Sequence, residues 1–316
     1  MPFQHSGGVA GGIKAGDPEG SAAEDSQTRP ACHSTMDHTA LLILLGVAAH
    51  TWGLPVQNVS AAHDAILRFR RQISEELWGQ MEMNAMDRIL QTNRFLRRLP
   101  GMSLREGDIA HSTIRSAITC PDNSCLWPKS VDGNVYVAYI ISPQYDSMDR
   151  MTIETGMQDI SSGTCVKFVP RSHEADYLDI QPKGGCWSFL GVVGGAQPVS
   201  LETPGCMWAG VASHELMHAL GFVHEQSRSD RDRYVTILWD NILQDQVHNF
   251  KKYVTNNLNT AYDYTSIMHY GRYAFSEDGD PTIVPKPDPF VQIGQRDGPS
   301  ALDIQKINAL YNCSQI

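Results

Sequence analysis

Ser213-His-Glu-Leu-Met-His-Ala-Leu-Gly-Phe-Val-His-Glu225 is the stretch that decides the fold. On an α-helix, His214 and His218 lie one turn apart on the same face, so two imidazoles can reach one ion at about 2.0–2.1 Å. Glu215 follows the first histidine but points elsewhere round the helix. It is placed to take a proton from a water in the open position rather than to ligate. Gly221 permits a left-handed turn that ends the helix and brings His224 back as a third nitrogen donor. Three histidines leave one position open, which marks a catalytic zinc site; structural sites close the shell with four protein ligands. One Zn2+ per chain is therefore expected. His-Glu-x-x-His alone recurs by chance, and Gly221 and His224 at their spacings remove that explanation.

Downstream, Ser266-Ile-Met-His-Tyr270 supplies the methionine turn that accompanies the long histidine motif in metzincins. Here the sequence resembles the astacin family, which shares the motif through its final glutamate, here Glu225, and a Ser-x-Met-His-Tyr turn. The resemblance runs from about Ser116 to Cys313. It takes in Cys165-Val-Lys-Phe-Val-Pro-Arg171, Gly194-Gly-Ala-Gln197 and Glu225-Gln-Ser-Arg-Ser-Asp-Arg-Asp232. It implies a zinc metalloendopeptidase of zincin-like α+β fold, with two subdomains. The zinc cleft would lie between a twisted N-terminal sheet with helices and a less regular C-terminal half. By the same resemblance Met268 packs beneath the metal, and Tyr270 is a fifth, displaceable ligand that swings to stabilise the tetrahedral intermediate. From spacing alone, Met268 and Tyr270 read as core residues, and His269 as a structural one. Peptide substrates would lie extended along the sheet's edge.

Of seven cysteines, Cys32 precedes the apolar run Ala40–Ala48, and six follow Arg115. An even count behind a signal peptide predicts three disulfides. The family resemblance implies Cys165–Cys313 and Cys186–Cys206. Cys120 and Cys125 resemble the extra pair of six-cysteine fish astacins, which include hatching enzymes. The apolar run is too short to span a bilayer and suits a signal-peptide core, giving a signal over 36–55 with Met36 as the start. Residues 1–35 read as a gene-model extension or a disordered leader. A helical prosegment over 56–115 follows, with apolar residues at helical spacing from Ala61 to Leu99 and a short linker carrying Glu106-Gly107-Asp108. Residues 116–316 form the catalytic domain. Within it, strands are expected at Val135–Ile141, Cys165–Pro170, Tyr177–Ile180 and Pro198–Leu201. Helices are expected near Ser147–Ile160, from Ala209, and near Thr236–Tyr253 and Pro299–Tyr311.

Astacin precursors carry a Phe-x-Gly-Asp motif whose aspartate ligates zinc in place of water. Asp108 occupies that place, with Arg105 where the aromatic would stand. Cleavage after Arg115 by an activating protease would start the mature chain at Ser116. In the family that new ammonium meets the glutamate after the third histidine, here Glu225. A formal charge of −10 argues against nucleic acid or an anionic membrane as main partner. The expectation is a secreted, granule-stored monomer acting on extracellular proteins, with egg-envelope protein as substrate. Two rivals stay open at this level: a non-catalytic extracellular binder on the same fold, and a zinc hydrolase of a non-peptide substrate.

Overall fold

Val135 and Val137 face inward and Tyr136 outward, the alternation of a strand buried on one face. The computed structural model describes residues 83–94, 96, 102–112 and 125–314, all in the compact unit Ser74–Ile316. The leader, the signal segment, Arg115, Ser116 and Cys120 lie outside the described residues. Strand β3 (Val135–Ile141) pairs in parallel with β4 (Val166–Pro170) and β5 (Tyr177–Gln181), and β5 pairs in parallel with β7 (Ala196–Leu201). At the other side of β7, β6 (Cys186–Phe189) runs antiparallel.

The linker expected around residue 106 is instead a hairpin. β1 (Met102–Arg105) and β2 (Ile109–Ser112) pair antiparallel, and β2 adds in parallel to β6, so the sheet order is β1-β2-β6-β7-β5-β3-β4. Four-residue strands carry little sequence signal of their own. They form because β6 otherwise presents unpaired backbone donors and acceptors. Helix α1 (Ala85–Asn93) starts at Asn84, whose side chain accepts from Asp87 N–H. Its Asn93 carboxamide grips the same edge. It donates to the carbonyls of Gly107 at 2.8 Å and Cys186 at 2.7 Å, and accepts from Cys186 N–H at 2.8 Å.

α2 (Ser147–Ser161) is capped by Asp146, which accepts from two backbone N–H groups, and it packs against α3 (Ala209–Ala219). Ten of the eleven residues of α3 are buried, so the motif helix is a core element rather than a surface one. The downstream half is less regular. It holds short 3-10 turns, a two-stranded sheet of β8 (Val235–Ile237) and β9 (Ile283–Pro285), and α4 (Ala301–Leu310). The helix expected near Thr236–Tyr253 is absent. Strand β8 and 3-10 turns at Trp239–Asn241 and Gln244–Phe250 stand in its place. Backbone donors there are committed to distant carbonyls, Leu238 to Thr282, Leu243 to Phe275 and Tyr253 to Ser227, which removes the i→i−4 ladder.

Cys165–Cys313 joins the start of β4 to the end of α4, and Cys186–Cys206 joins β6 to the loop before α3. Both pairs agree with expectation. Cys125 is also disulfide-bonded. No helix among the described residues is long and apolar enough to cross a membrane.

Candidate metal centre

Helix α3 ends in a Schellman motif: Phe222 N–H bonds Met217 C=O at 3.1 Å and Gly221 N–H bonds His218 C=O at 2.9 Å, with Gly221 at φ +102°. The left-handed turn read from Gly221 is thus present. It has a second use, because it delivers the Phe222 carbonyl to His218 Nδ1 at 2.7 Å. His214 Nδ1 bonds Ile267 C=O at 2.9 Å, in the methionine turn. A carbonyl can only accept, so each ring presents its Nδ1–H to it, which turns both Nε2 atoms toward the cluster.

The methionine turn is held in its own right. Asp303 of α4 takes Ser266 Oγ at 2.6 Å and Ile267 N–H at 2.9 Å, while closing a capping box with Ser300. Met268 is buried, and its carbonyl accepts from Glu225 N–H, one residue beyond His224. His269 is buried and bonded through both ring nitrogens, to Tyr262 Oη and Tyr270 C=O, which gives it the structural role expected. Burial lowers its imidazole to about 4.

His214, His218, His224 and Asp108 converge, with one ligand-type atom from each lying within 4.8 Å of the others. Asp108 Oδ2 is 3.0 Å from His214 Nε2, 3.3 Å from His224 Nε2 and 3.5 Å from His218 Nε2. All four side chains are fully buried. His224 Nε2 and His214 Nε2 stand 3.3 Å apart; tetrahedral zinc with nitrogens at about 2.0–2.1 Å sets them at roughly 3.4 Å. His218 Nε2 and both oxygens of Glu215 are buried without a hydrogen-bond partner. Three aimed nitrogens, a carboxylate oxygen and no competing donor are what a divalent zinc ion requires.

Electrostatics divide the cluster. Burial pushes His214 down to about 4. At His224 burial acts the same way but is outweighed by Asp108 and Glu106, which raise it to about 9. Burial, reinforced by the charge of Asp108, pushes the Glu215 carboxyl well above its ordinary range. A cation among the histidines is what these carboxylates call for.

Glu106 carries no local signal of the part it plays. It is buried at φ +52°, and its carboxylate contacts His224 Nδ1 at 2.6 Å and accepts from Ser227 Oγ at 2.9 Å. The following Gly107, at φ +88°, leaves no room for a Cβ beside Leu90. Tyr270, expected as a displaceable ligand, has its hydroxyl 2.6 Å from Glu106 C=O, to which it donates in this form. Glu225, expected to find its counter-charge in the new terminus, already has two. Lys306 Nζ lies at 2.7 Å on Oε2 and Arg228 Nη1 at 3.1 Å on Oε1, with Asp263 N–H at 2.8 Å. The spacing of Ser300-x-x-Asp303 is a usable capping-box signal. Nothing in the sequence points from Lys306 or Glu106 to partners 81 and 118 residues away.

The family model of the astacin peptidases matches residues 122–312. High choriolytic enzyme 2 of Oryzias latipes is 46% identical over 275 residues, 86% of this chain and 96% of that one. High choriolytic enzyme 1 of the same fish is 49% identical over 227 residues, 72% of this chain and 83% of that one. The solved structure of that second protein, a hatching enzyme zinc-protease, matches with a TM-score of 0.60 at 50% identity, covering 63% of this chain and all of its own. With the extended histidine motif, the methionine turn and a zinc-competent cluster in place, the chain belongs to the astacin family and is a zinc metalloendopeptidase.

Proposed function

We propose that this chain is a secreted zymogen whose mature form hydrolyses extracellular proteins, with egg-envelope protein as its natural substrate. His214, His218 and His224 hold the metal, Glu215 is the general base, and Asp108 of the prosegment keeps the open position filled. One observation carries this proposal: a single carboxylate oxygen, Asp108 Oδ2, lies within 3.5 Å of all three Nε2 atoms.

When bound, zinc supplies the positive charge that polarises a peptide carbonyl and acidifies a water beside it. Glu215, buried and free of other partners, takes the proton of that water and passes it to the leaving amine nitrogen. Tyr270 donates its hydroxyl to the carbonyl oxygen as charge builds there, once Glu106 C=O has released it. The edge of β6, covered by Asn93 and β2 in this form, offers its backbone groups to an extended peptide. Cleavage after Arg115 removes Asp108, Glu106 and Asn93 together. Egg-envelope protein rests on the likeness to the two choriolytic enzymes and on the Cys120 and Cys125 pair.

The test is a digest of casein, gelatin and isolated egg envelope by the chain trimmed to Ser116, with and without a chelator. Cleavage that stops with chelator and returns with zinc is the expected result. An inert trimmed protein that still holds zinc would instead favour a binding role. Efficient cleavage of casein and gelatin with an untouched envelope would remove the substrate assignment alone.

A further inference from the structure

Two of the three histidines take their Nδ1 partner from the protease itself. His214 uses the Ile267 carbonyl and His218 the Phe222 carbonyl. The third takes it from the prosegment: His224 Nδ1 bonds the Glu106 carboxylate at 2.6 Å. Among the described residues, no catalytic-domain group is bonded to that nitrogen.

Glu106 is well built for the task. It is buried and its second oxygen is fixed by Ser227 Oγ at 2.9 Å. Its N–H donates to Asn249 Oδ1 at 2.8 Å, and its carbonyl receives Tyr270 Oη at 2.6 Å. Every hydrogen-bonding group of the residue is thus committed, which secures a non-glycine φ of +52° that would otherwise be strained. Two residues on, Asp108 reaches the Nε2 side of the same ring at 3.3 Å. One turn of the prosegment therefore grips both nitrogens of His224.

We propose that Glu106 is a positioning residue for the metal, present only in the precursor, and that the prosegment is the element with which the chain acquires its zinc. This rests on the three histidines being the ligands. A carboxylate behind a ligating imidazole fixes its tautomer and orientation and raises its basicity, and loss of such a partner costs about 10–100-fold in metal affinity. Asp108 adds a fourth donor in the same state. The precursor thus binds zinc in a complete four-donor site with every histidine oriented. The mature enzyme keeps the metal in a three-histidine site whose third ligand has lost its partner.

The experiment measures zinc affinity, by competition with a chromophoric chelator, in the full-length precursor and in its Glu106→Gln and Glu106→Ala variants. Cobalt(II) spectra are recorded alongside. Glu106→Ala should weaken zinc binding about 10–100-fold. Glu106→Gln should weaken it less and shift the cobalt bands. After cleavage past Arg115 all three give the same polypeptide, so their mature forms must bind equally, and more weakly than the unmodified precursor. Unchanged affinity and unchanged cobalt spectra in both variants would overturn the proposal, as would a mature form that binds zinc as tightly as the precursor. Should Glu106→Ala not fold, Glu106→Gln, which keeps volume, carries the test. Failure of the ligand assignment itself looks different: His224→Ala would then leave affinity unaltered in precursor and mature protein alike.

Discussion

Helix α3 and the turn at 106–108 bring their side chains to the same cluster, yet they are held there by different physics. The helix is a core element. Its carbonyl ends are taken up by the Trp127 indole on Ala219, the Tyr311 hydroxyl on Leu220 and the Gly191 N–H on His218. It would keep its geometry with the prosegment gone. The turn is held by what it touches: β6 through β2, Asn249 and Tyr270 through Glu106, and Asn93 on Gly107. Chemistry is thus built into the core, and the turn's stability is borrowed from its neighbours; on the proposed processing, one cleavage would remove it and leave the core in place.

If that division holds, the bracing of the core should matter to both forms of the protein. Cys165–Cys313 spans 148 residues within the catalytic region, and a loop of that size is assigned about 5 kcal/mol by the chain-entropy model. The paired replacement Cys165→Ala, Cys313→Ala should lower the melting temperature of precursor and mature protein alike. The loop of Cys186–Cys206, with a separation of 20, should cost less, about 3 kcal/mol. A loss confined to the precursor would mean that the prosegment is integral to the core after all.

Glu215 sharpens the comparison from the catalytic side. Glu215→Ala should leave one zinc per chain and an unchanged fold while proteolysis falls roughly 10²–10⁴-fold, the range of general-base contributions. Metal content measured beside turnover decides it, and loss of zinc would move Glu215 into the ligand set. Asp108→Ala is the counterpart on the borrowed side. The uncleaved precursor should then bind an active-site hydroxamate about 10–100-fold more tightly, matching the 1.5–3 kcal/mol of a hydrogen bond to a charged group. A precursor as closed as before would assign latency to β2 covering the edge of β6.

The same division explains what can be read in advance. His214, Glu215, His218 and the Gly221 turn are legible because one local period and one backbone requirement fix them, and the strands expected at Val135–Ile141 and Cys165–Pro170 because β-branched and aromatic residues are dense there. Asp108 is legible only through family resemblance. Glu106, Asn93 and Lys306 are invisible, since each acts across 80 or more residues and nothing local distinguishes it from a surface polar group. The hairpin escapes a sequence reading because β2 is held by backbone pairing to the distant β6, and β1 by pairing to β2, with no side-chain pattern of their own. The segment 236–253 misleads because its apolar periodicity suggests a helix where tertiary hydrogen bonds take the backbone donors. Asn93 allows this account to be checked. Asn93→Ala removes three hydrogen bonds at the prosegment edge, and at about 1 kcal/mol each it should speed proteolytic nicking of the precursor without changing the melting of the mature protein. Equal nicking rates would place the grip elsewhere.

The smallest effect is expected where family resemblance suggests a large one. A new ammonium at Ser116 stabilises Glu225 strongly only if that buried carboxylate is otherwise unpaired, and Lys306 and Arg228 already flank it, with both oxygens engaged. Burial still raises the Glu225 carboxyl, so the site is sensitive to charge, but the charge is supplied from α4 before any cleavage. Mature proteins beginning at Ile114, Ser116 and Ile118 should therefore melt within about 2 °C of one another, less than about 1 kcal/mol for a domain of this size. Lys306→Met should change that. Removing one partner of a buried pair costs about 3–5 kcal/mol, and in that background the Ser116 start should melt above the other two because only its terminus can replace the lost ammonium. If instead the Ser116 protein stands well above its neighbours with Lys306 intact, cleavage must break the Lys306 pair. The permanent core would then be remodelled by activation rather than merely uncovered.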